Sequence, residues 1–245
     1  MVTRIEPTAG TVEQEWGAWA APGSWPRLDP DELAGAPVVV LAAHPDDETL
    51  GVGGLVCLLA RAGARLSVVW ATDGEASHPG SVAAAGRDLA AERRGEADAA
   101  LAALGADRAP RVRLGLPDGD VAGHEQRLTE TLADLLPPGA VVLAPWSGDA
   151  HPDHEACGRA ARAVTDRVLE YPVWAWSWAR PDDPRVPWAR AVRVELPTEV
   201  RDRKAAAVDC FGTQVRPLGP DPADGPVLPP RVLAHFGRGY EVLLR

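Results

Sequence analysis

The sequence is short of thiols, of tyrosine and phenylalanine, and of positive charge. Its three cysteines, Cys57, Cys157 and Cys210, are odd in number, far apart and never spaced as CxxC. They exclude a disulfide framework and a thiolate zinc site, and they read as reduced thiols of a cytoplasmic protein. Lysine and arginine number 25 against 35 acidic residues, giving a net charge of −10. That balance argues against a nucleic-acid partner, because phosphate binding needs a basic face. No stretch approaches the ~18 consecutive apolar residues of a membrane span. Met1 to Gly10 has no apolar segment of the kind a secretory signal carries. Two tyrosines and two phenylalanines leave nine tryptophans as the main aromatic residues.

What remains is ample material for a core, with 46% of the residues apolar in a chain of 245. That length favours one large domain over two small ones. Residues 1–36 are rich in Pro, Gly and Trp (Trp16, Trp19, Trp25) and weakly periodic. They are expected to form an N-terminal extension packed through its tryptophans on a single domain spanning 37–245. From Pro37 onward the pattern alternates. Strands are predicted at Val38–Ala42, Arg65–Thr72, Arg111–Leu116, Ala140–Ala144, Val168–Trp176, Ala191–Glu195 and Tyr240–Leu244. Helices are predicted at Glu48–Ala62, Arg87–Leu104, Glu125–Leu136, His154–Asp166 and Thr198–Phe211, several of them ended by Gly or Pro. This order implies an α/β fold, a Rossmann-like three-layer sandwich with a mainly parallel sheet and helices on both faces. Such sheets bind ligands beyond the carboxyl ends of their strands. The Pro-, Gly- and Asp-dense segment Gly212–Pro230 reads as irregular surface or a flap over the site.

Two polar clusters fall at such strand ends. Ala43-His44-Pro45-Asp46-Asp47-Glu48 follows the first apolar run, and His151-Pro152-Asp153-His154 follows the fourth. His44 and Asp47, three residues apart across a turn forced by Pro45, can both reach one ion. Asp46 would then point toward a water as general base. Glu48 suits the start of a helix, where the dipole favours a carboxylate. His151 and His154 are also three apart at a helix start. One can ligate the metal while the other stands near a reacting carbonyl, and Asp153 can bond a ring nitrogen and so fix its tautomer. Helix capping is the plain alternative for both clusters, but it does not account for histidines and consecutive acids at two strand ends together.

These residues resemble the PIG-L/LmbE family of zinc-dependent de-N-acetylases. AHPDDE and HPDH are the specific matches; Thr72-Asp73-Gly74-Glu75, Arg93-Arg94-Gly95-Glu96 followed by Leu104-Gly105, and Leu116-Pro117-Asp118-Gly119 are weaker ones, all within about Val38 to Ala163. The resemblance implies a hydrolase that removes an N-acetyl or related acyl group from an amino sugar or its conjugate. It implies metal ligands His44, Asp47 and His154, with zinc or ferrous iron as the metal, and Asp46 as general base. His151, in protonated form, would stabilise the oxyanion, and Asp153 would orient one of the histidines. Arg93 or Arg94 and Asp118 would contact sugar hydroxyls. One departure stands out. Some sugar deacetylases of the family carry a tyrosine two residues before the first His of HPDH, where this chain has Asp149, so substrate contacts there are expected to differ.

The other polar residues divide less sharply. Asp73 and Glu75 line the pocket or shape a turn. His78 reads as a mobile rim, His124 as a cap or exposed group, and His235 as a core or surface histidine. Trp174, Trp176 and Trp178 alternate and would share one face of a strand, while Trp146, near HPDH, is the better candidate for a wall on which a sugar ring stacks. Gly51, Gly53 and Gly54 do not make a GxGxxG loop, and the acids before them would repel a pyrophosphate. An amidase acting on a thiol conjugate or other non-sugar amide is the neighbouring alternative, and a non-catalytic carbohydrate-binding protein the distant one. A phosphoesterase site would favour more oxygen ligands than two histidines allow. The sequence leaves the oligomeric state open.

Overall fold

Val38 to Ala42 is apolar at every position, the pattern of a strand buried on both faces, and it forms the centre of the molecule. The computed structural model describes residues 10–245; positions 1–9 of the expected extension lie outside the described residues. Two short helices, α1 (Glu13–Ala18) and α2 (Asp31–Ala34), lead into β1 (Val38–Ala42). There follow α3 (Asp47–Arg61), β2 (Leu66–Trp70), α4 (Leu89–Ala103), β3 (Arg111–Arg113), α5 (Glu125–Leu135), β4 (Val141–Pro145), α6 (Pro152–Val164) and β5 (Val168–Tyr171). The remainder carries α7 (Ala175–Trp178), β6 (Ala191–Glu195), α8 (Thr198–Asp209), α9 (Gly212–Val215), α10 (Pro230–Leu233) and β7 (Tyr240–Leu244).

The strands form one seven-stranded sheet in the order β3-β2-β1-β4-β5-β7-β6. Its first five strands are parallel, and only β7 runs against its neighbours. The expected three-layer α/β sandwich is therefore present. Alternation along the strands divides two cores. Val38, Val40, Ala42, Val68 and Leu143 pack with α3, α4 and α8, while Val39, Leu41, Ala43, Val69 and Val142 pack with α5 and α6. Strand order reverses at β1: the chain moves outward through β2 and β3, then returns to place β4 on the other side of β1. The connections leaving β1 and β4 thus part to opposite faces, and the crevice between them is where such sheets accept ligands.

Several boundaries differ from expectation, each for a local reason. The strand predicted over Val168–Trp176 stops at Tyr171, because Pro172 has no N–H to continue a ladder and the next residues turn into α7. Trp174, Trp176 and Trp178 consequently do not share a strand face. The β3 prediction shrinks to three edge residues, Arg111–Arg113. The segment 212–230 begins with the short helix α9, is otherwise largely irregular, and is tied down: Glu96 accepts from both the N–H and the Oγ1 of Thr213 at 2.7 Å, and Asp224 accepts from Ser81 Oγ at 2.5 Å. In the N-terminal extension Trp16, 1% exposed, donates its indole N–H to the Trp176 carbonyl, and Trp25 stacks on Trp188. Glu13 accepts from both His235 and Arg238, so this extension is locked to the end of the chain.

Close approach explains two glycines of α3, Gly51 and Gly54. A Cβ at Gly51 would lie 2.2 Å from Cδ2 of buried Tyr171, and one at Gly54 would lie 2.5 Å from Leu196 Cδ2. Tyr171 in turn donates to the Leu41 carbonyl at 2.7 Å, joining β5 to β1 next to the crevice. Overpacking of this kind costs about 1–3 kcal/mol. Gly51→Ala is therefore expected to lower the melting temperature by about 5 °C, read by calorimetry or circular dichroism; an unchanged transition would show that Tyr171 is not held against α3.

Candidate metal centre

The chain leaves β1 through Ala43 and His44 and enters α3 at Asp46, whose backbone sits at φ 145°, ψ −29°. A non-glycine residue at positive φ is uncommon and strained by about 1–3 kcal/mol. Its surroundings hold it there. The Asp46 N–H donates to Glu48 Oε2 at 3.2 Å, and its carbonyl accepts from Thr49 and Leu50. Glu48, expected as a cap, is fully buried and also takes the indole N–H of Trp70 at 3.0 Å. Arg93 clamps the turn from the side: it donates to Pro45 O at 2.7 Å, Gly74 O at 2.9 Å and Asp46 Oδ2 at 2.9 Å. Gly74 is at φ +69°, and a Cβ there would collide with the Arg93 guanidinium.

His44 and His154 meet around Asp47. His154 Nε2 lies 3.2 Å from Asp47 Oδ1, and His44 Nδ1 lies 3.5 Å from Asp47 Oδ2. The far nitrogen of each ring is already occupied. His154 Nδ1 donates to Asp149 Oδ2 at 2.8 Å, and His44 Nε2 is 3.1 Å from both Asp153 Oδ2 and Asp118 Oδ1. This is how carboxylates fix the tautomer of a metal-binding histidine and leave the near nitrogen free. Among the described residues the buried His154 Nε2 makes no well-aligned hydrogen bond, and Asp47 Oδ1 is its ion-pair neighbour. One ligand atom each from His44, Asp47 and His154 lie within 4.8 Å of one another. A second set, His44, His151 and Asp153, is equally compact, but there Asp153 accepts the N–H groups of Gly119 and Val121 and faces His44 Nε2. The first set fits a metal: two imidazole nitrogens and a carboxylate, with His154 Nε2 facing Asp47 Oδ1 across 3.2 Å.

The charges agree with that fit. Asp46, Asp47, Asp118, Asp149 and Asp153 converge here, and against them stands the guanidinium of Arg93. Burial opposes charge on the two rings, yet hydrogen bonds from Asp118, Asp153 and Asp47 carry His44 well above its usual range, and Asp47 and Asp149 carry His154 to about 9. Burial is likewise outweighed at Asp118, which falls to about 2 beside His44. The carboxylates thus create a field that asks for positive charge at the two near nitrogens. Asp46 is the exception: burial lifts its carboxyl to about 7 even though Arg93 pulls the other way.

Four expectations need correction. His151, expected to be protonated, is lowered to about 3 by burial and by positive charge on His154 and His44. Its Nδ1 accepts the N–H of Asp153 at 3.3 Å, so the neutral ring carries its hydrogen on Nε2 and remains a donor. Asp149, expected among substrate contacts, is 0% exposed. Besides His154 it accepts the N–H groups of Val173, Trp174 and Ala175, and so caps α7. Trp146, expected as a stacking wall, is 5% exposed and already stacked on Trp178. Arg93 and Arg94 do not offer free guanidinium groups for sugar hydroxyls. Arg93 is buried on the Asp46 turn, and Arg94 pairs at 2.7 Å with Asp73, whose carboxylate also faces Arg113. Asp118 remains at the site through His44, and its Oδ2 accepts the N–H of Ala76 at 2.7 Å. Glu75 accepts the N–H of Asp118 at 3.0 Å. Of the outlying histidines, His78 is 7% exposed beside Ser77 Oγ, and His124 bonds the Asp120 carbonyl.

Fold and site together describe an α/β protein with a cluster of His and Asp residues that could hold a metal ion at the switch point of its sheet. A family model described as GlcNAc-PI de-N-acetylase, PIG-L, matches residues 39–165, just over half of the chain, and the chain belongs to that family. It is 32% identical over 160 residues to the 1D-myo-inositol 2-acetamido-2-deoxy-alpha-D-glucopyranoside deacetylase of Mycolicibacterium gilvum, covering 55% of this chain and 56% of that protein. The enzyme of the same name from Kineococcus radiotolerans is 29% identical over 247 residues, covering 80% and 64% respectively. The chain thus spans between about half and two thirds of the length of these relatives. Among solved structures, the conserved protein TT1542 from Thermus thermophilus is 29% identical with a TM-score of 0.53, covering 73% of this chain and 80% of that one. The N,N'-diacetylchitobiose deacetylase of Pyrococcus horikoshii shares the fold, at 21% identity and a TM-score of 0.54, covering 75% of this chain and 73% of its own.

Removal of the carboxylate behind a ligating histidine typically lowers metal affinity about 10–100-fold. Asp149→Asn is expected to do so, measured by chelator competition with zinc as the probe. Wild-type affinity in that variant would mean that Asp149 serves only the α7 turn.

Proposed function

We propose that this chain is a zinc-dependent amide hydrolase that removes an N-acetyl, or related acyl, group from an amino sugar or its conjugate. The observation that carries the proposal is the convergence of His44, Asp47 and His154, with the buried Nε2 of His154 3.2 Å from Asp47 Oδ1 and its Nδ1 held from behind by Asp149. The deacetylase relatives, whose names describe an acetylated amino sugar joined to inositol, support the substrate class. His44, Asp47 and His154 would hold the ion, and ferrous iron suits the same donors. Zinc bound there supplies Lewis acidity and lowers the pKa of a bound water from 15.7 to about 7.

The chain's own groups supply the proton handling. Asp46, with its carboxyl near 7, is matched to take a proton from the attacking water at neutral pH and to return it to the departing amine. Arg93 fixes its orientation and keeps its anionic form accessible. His151 donates Nε2–H to the oxygen that becomes negative as the carbonyl is attacked, a preorganised donor commonly worth about 3 kcal/mol. As a neutral ring it does this without the protonation expected from sequence. Asp153 supports the centre by bonding His44. A carbohydrate-binding module has no use for a strained aspartate beside a metal centre, and that strain favours an enzyme. Three free cysteines support a reducing, cytoplasmic setting. Among the described residues no helix is long and apolar enough to cross a membrane.

Two outcomes are expected. Metal-stripped protein should release no acetate from a panel of N-acetylated amino sugars and their conjugates, and added zinc should restore release from at least one. Turnover unaffected by metal removal would refute the mechanism, and zinc-bound protein inert across the panel would point to a non-sugar amide. Asp46→Asn should retain zinc while losing about 10²–10⁴-fold in turnover. Loss of the metal in that variant would make Asp46 a ligand.

A further inference from the structure

The helix that presents Asp47 is broken one turn beyond the site, and the break is filled by residues from far along the chain. Val52 stands at φ −138°, ψ 19°, outside the helical region. In an unbroken helix the carbonyls of Leu50 and Gly51 would accept the N–H groups of Gly54 and Leu55. Those two N–H groups instead donate to Glu241 of β7, Gly54 to Oε1 at 2.7 Å and Leu55 to Oε2 at 2.8 Å. The freed carbonyl of Leu50 accepts from Lys204 Nζ of α8 at 2.7 Å. Lys204 closes the arrangement through a 2.7 Å ion pair with Glu241 Oε1.

Both charged residues are 4% exposed, and Lys204 is the only lysine in the sequence. A buried ion pair seldom adds net stability over an apolar filling of the same volume, so stability alone does not account for it. What the pair does supply is a directional end for each helix bond lost at the break. It is also connected to the site: Lys204 holds the Leu50 carbonyl, and the Leu50 N–H donates to the Asp46 carbonyl at 2.8 Å. Gly54 makes room for it, since a Cβ there would lie 3.1 Å from Glu241 Oε1. The break cuts α3 into a first turn, Asp47 to Gly51, and a body that packs along α8.

We propose that the buried Lys204–Glu241 pair is a positioning device for the metal centre, setting the direction of the first turn of α3 and so the placement of Asp46 and Asp47 against His154. This rests on the metal-centre reading given above. Neither residue touches the metal ligands' side chains. They act through the backbone of Leu50, and replacing them alters the turn without removing a ligand.

The test uses the full chain with cobalt(II) as the probe. Lys204→Met keeps the aliphatic stem and removes the charge, and Glu241→Gln keeps the shape. Each is expected to lower cobalt affinity about 10–100-fold and to alter the visible absorption of bound cobalt. Each should also speed amide exchange at Thr49 and Leu50 about tenfold. Val192→Ala, a core change on β6, provides a variant destabilised elsewhere and should leave affinity, spectrum and first-turn exchange as in the parent. Variants that melt earlier yet bind cobalt with parental affinity, absorption and first-turn exchange would overturn the proposal. A parent protein that takes up no cobalt would refute the metal centre itself. The positioning role would then stand or fall on the exchange rates of the first turn.

Discussion

The structure depends on burying a cluster of carboxylates at the point where strand order reverses. An isolated carboxylate taken out of water costs several kcal/mol, so each must find donors or cations. Asp149 is met by His154 and three backbone N–H groups, and Asp153 by His44 and two more. Asp46 has Arg93, and Glu48 has Trp70, Thr49 and the Asp46 N–H. Asp47 accepts the His44 N–H at 2.8 Å and faces two imidazole nitrogens. The loops after β1, β2, β3 and β4, together with α7, are arranged to satisfy these acids, and the remaining imbalance is what a divalent cation would correct.

The same constraint explains why the site is strained where the chemistry is expected. Asp46 can meet Arg93 while Asp47 turns to the histidines only if the backbone reverses sharply between them, and φ 145° is the consequence. Glu48 from within the turn, and Arg93 and the Lys204–Glu241 pair from distant parts of the structure, hold that reversal. Rigidity is the gain: a base held by a buried guanidinium does not need to be ordered when substrate arrives.

Much of this could be read from the sequence where local signals were strong. Two apolar runs ending in His and Asp placed the site, and alternating periodicity placed the sheet and its helices. The residues that were misassigned are those whose partners are remote. Asp149 looked like a departure at a substrate position, but its role follows from three N–H groups at 173–175, beyond a turn that the Trp alternation disguised as strand. Arg93 was expected as a hydroxyl contact from the family resemblance alone, whereas Gly74 opens a seat for it against Asp46. His151 is held below its usual range first by burial and then by two neighbouring rings, neither of which the local motif reveals. The Lys204–Glu241 pair had no sequence signal beyond the rarity of lysine, since both residues lie outside the stretch in which the family motifs fall.

The central claim is that His44, Asp47 and His154 together hold one divalent ion. Anomalous scattering at the zinc edge, from crystals of zinc-loaded protein, tests it most directly. The account predicts a single peak bonded to His44 Nδ1, an Asp47 oxygen and His154 Nε2, with Asp46 and His151 nearby but unbound. A peak bonded to Asp46 or His151 in place of one of the three, or no peak between the two loops, would contradict it.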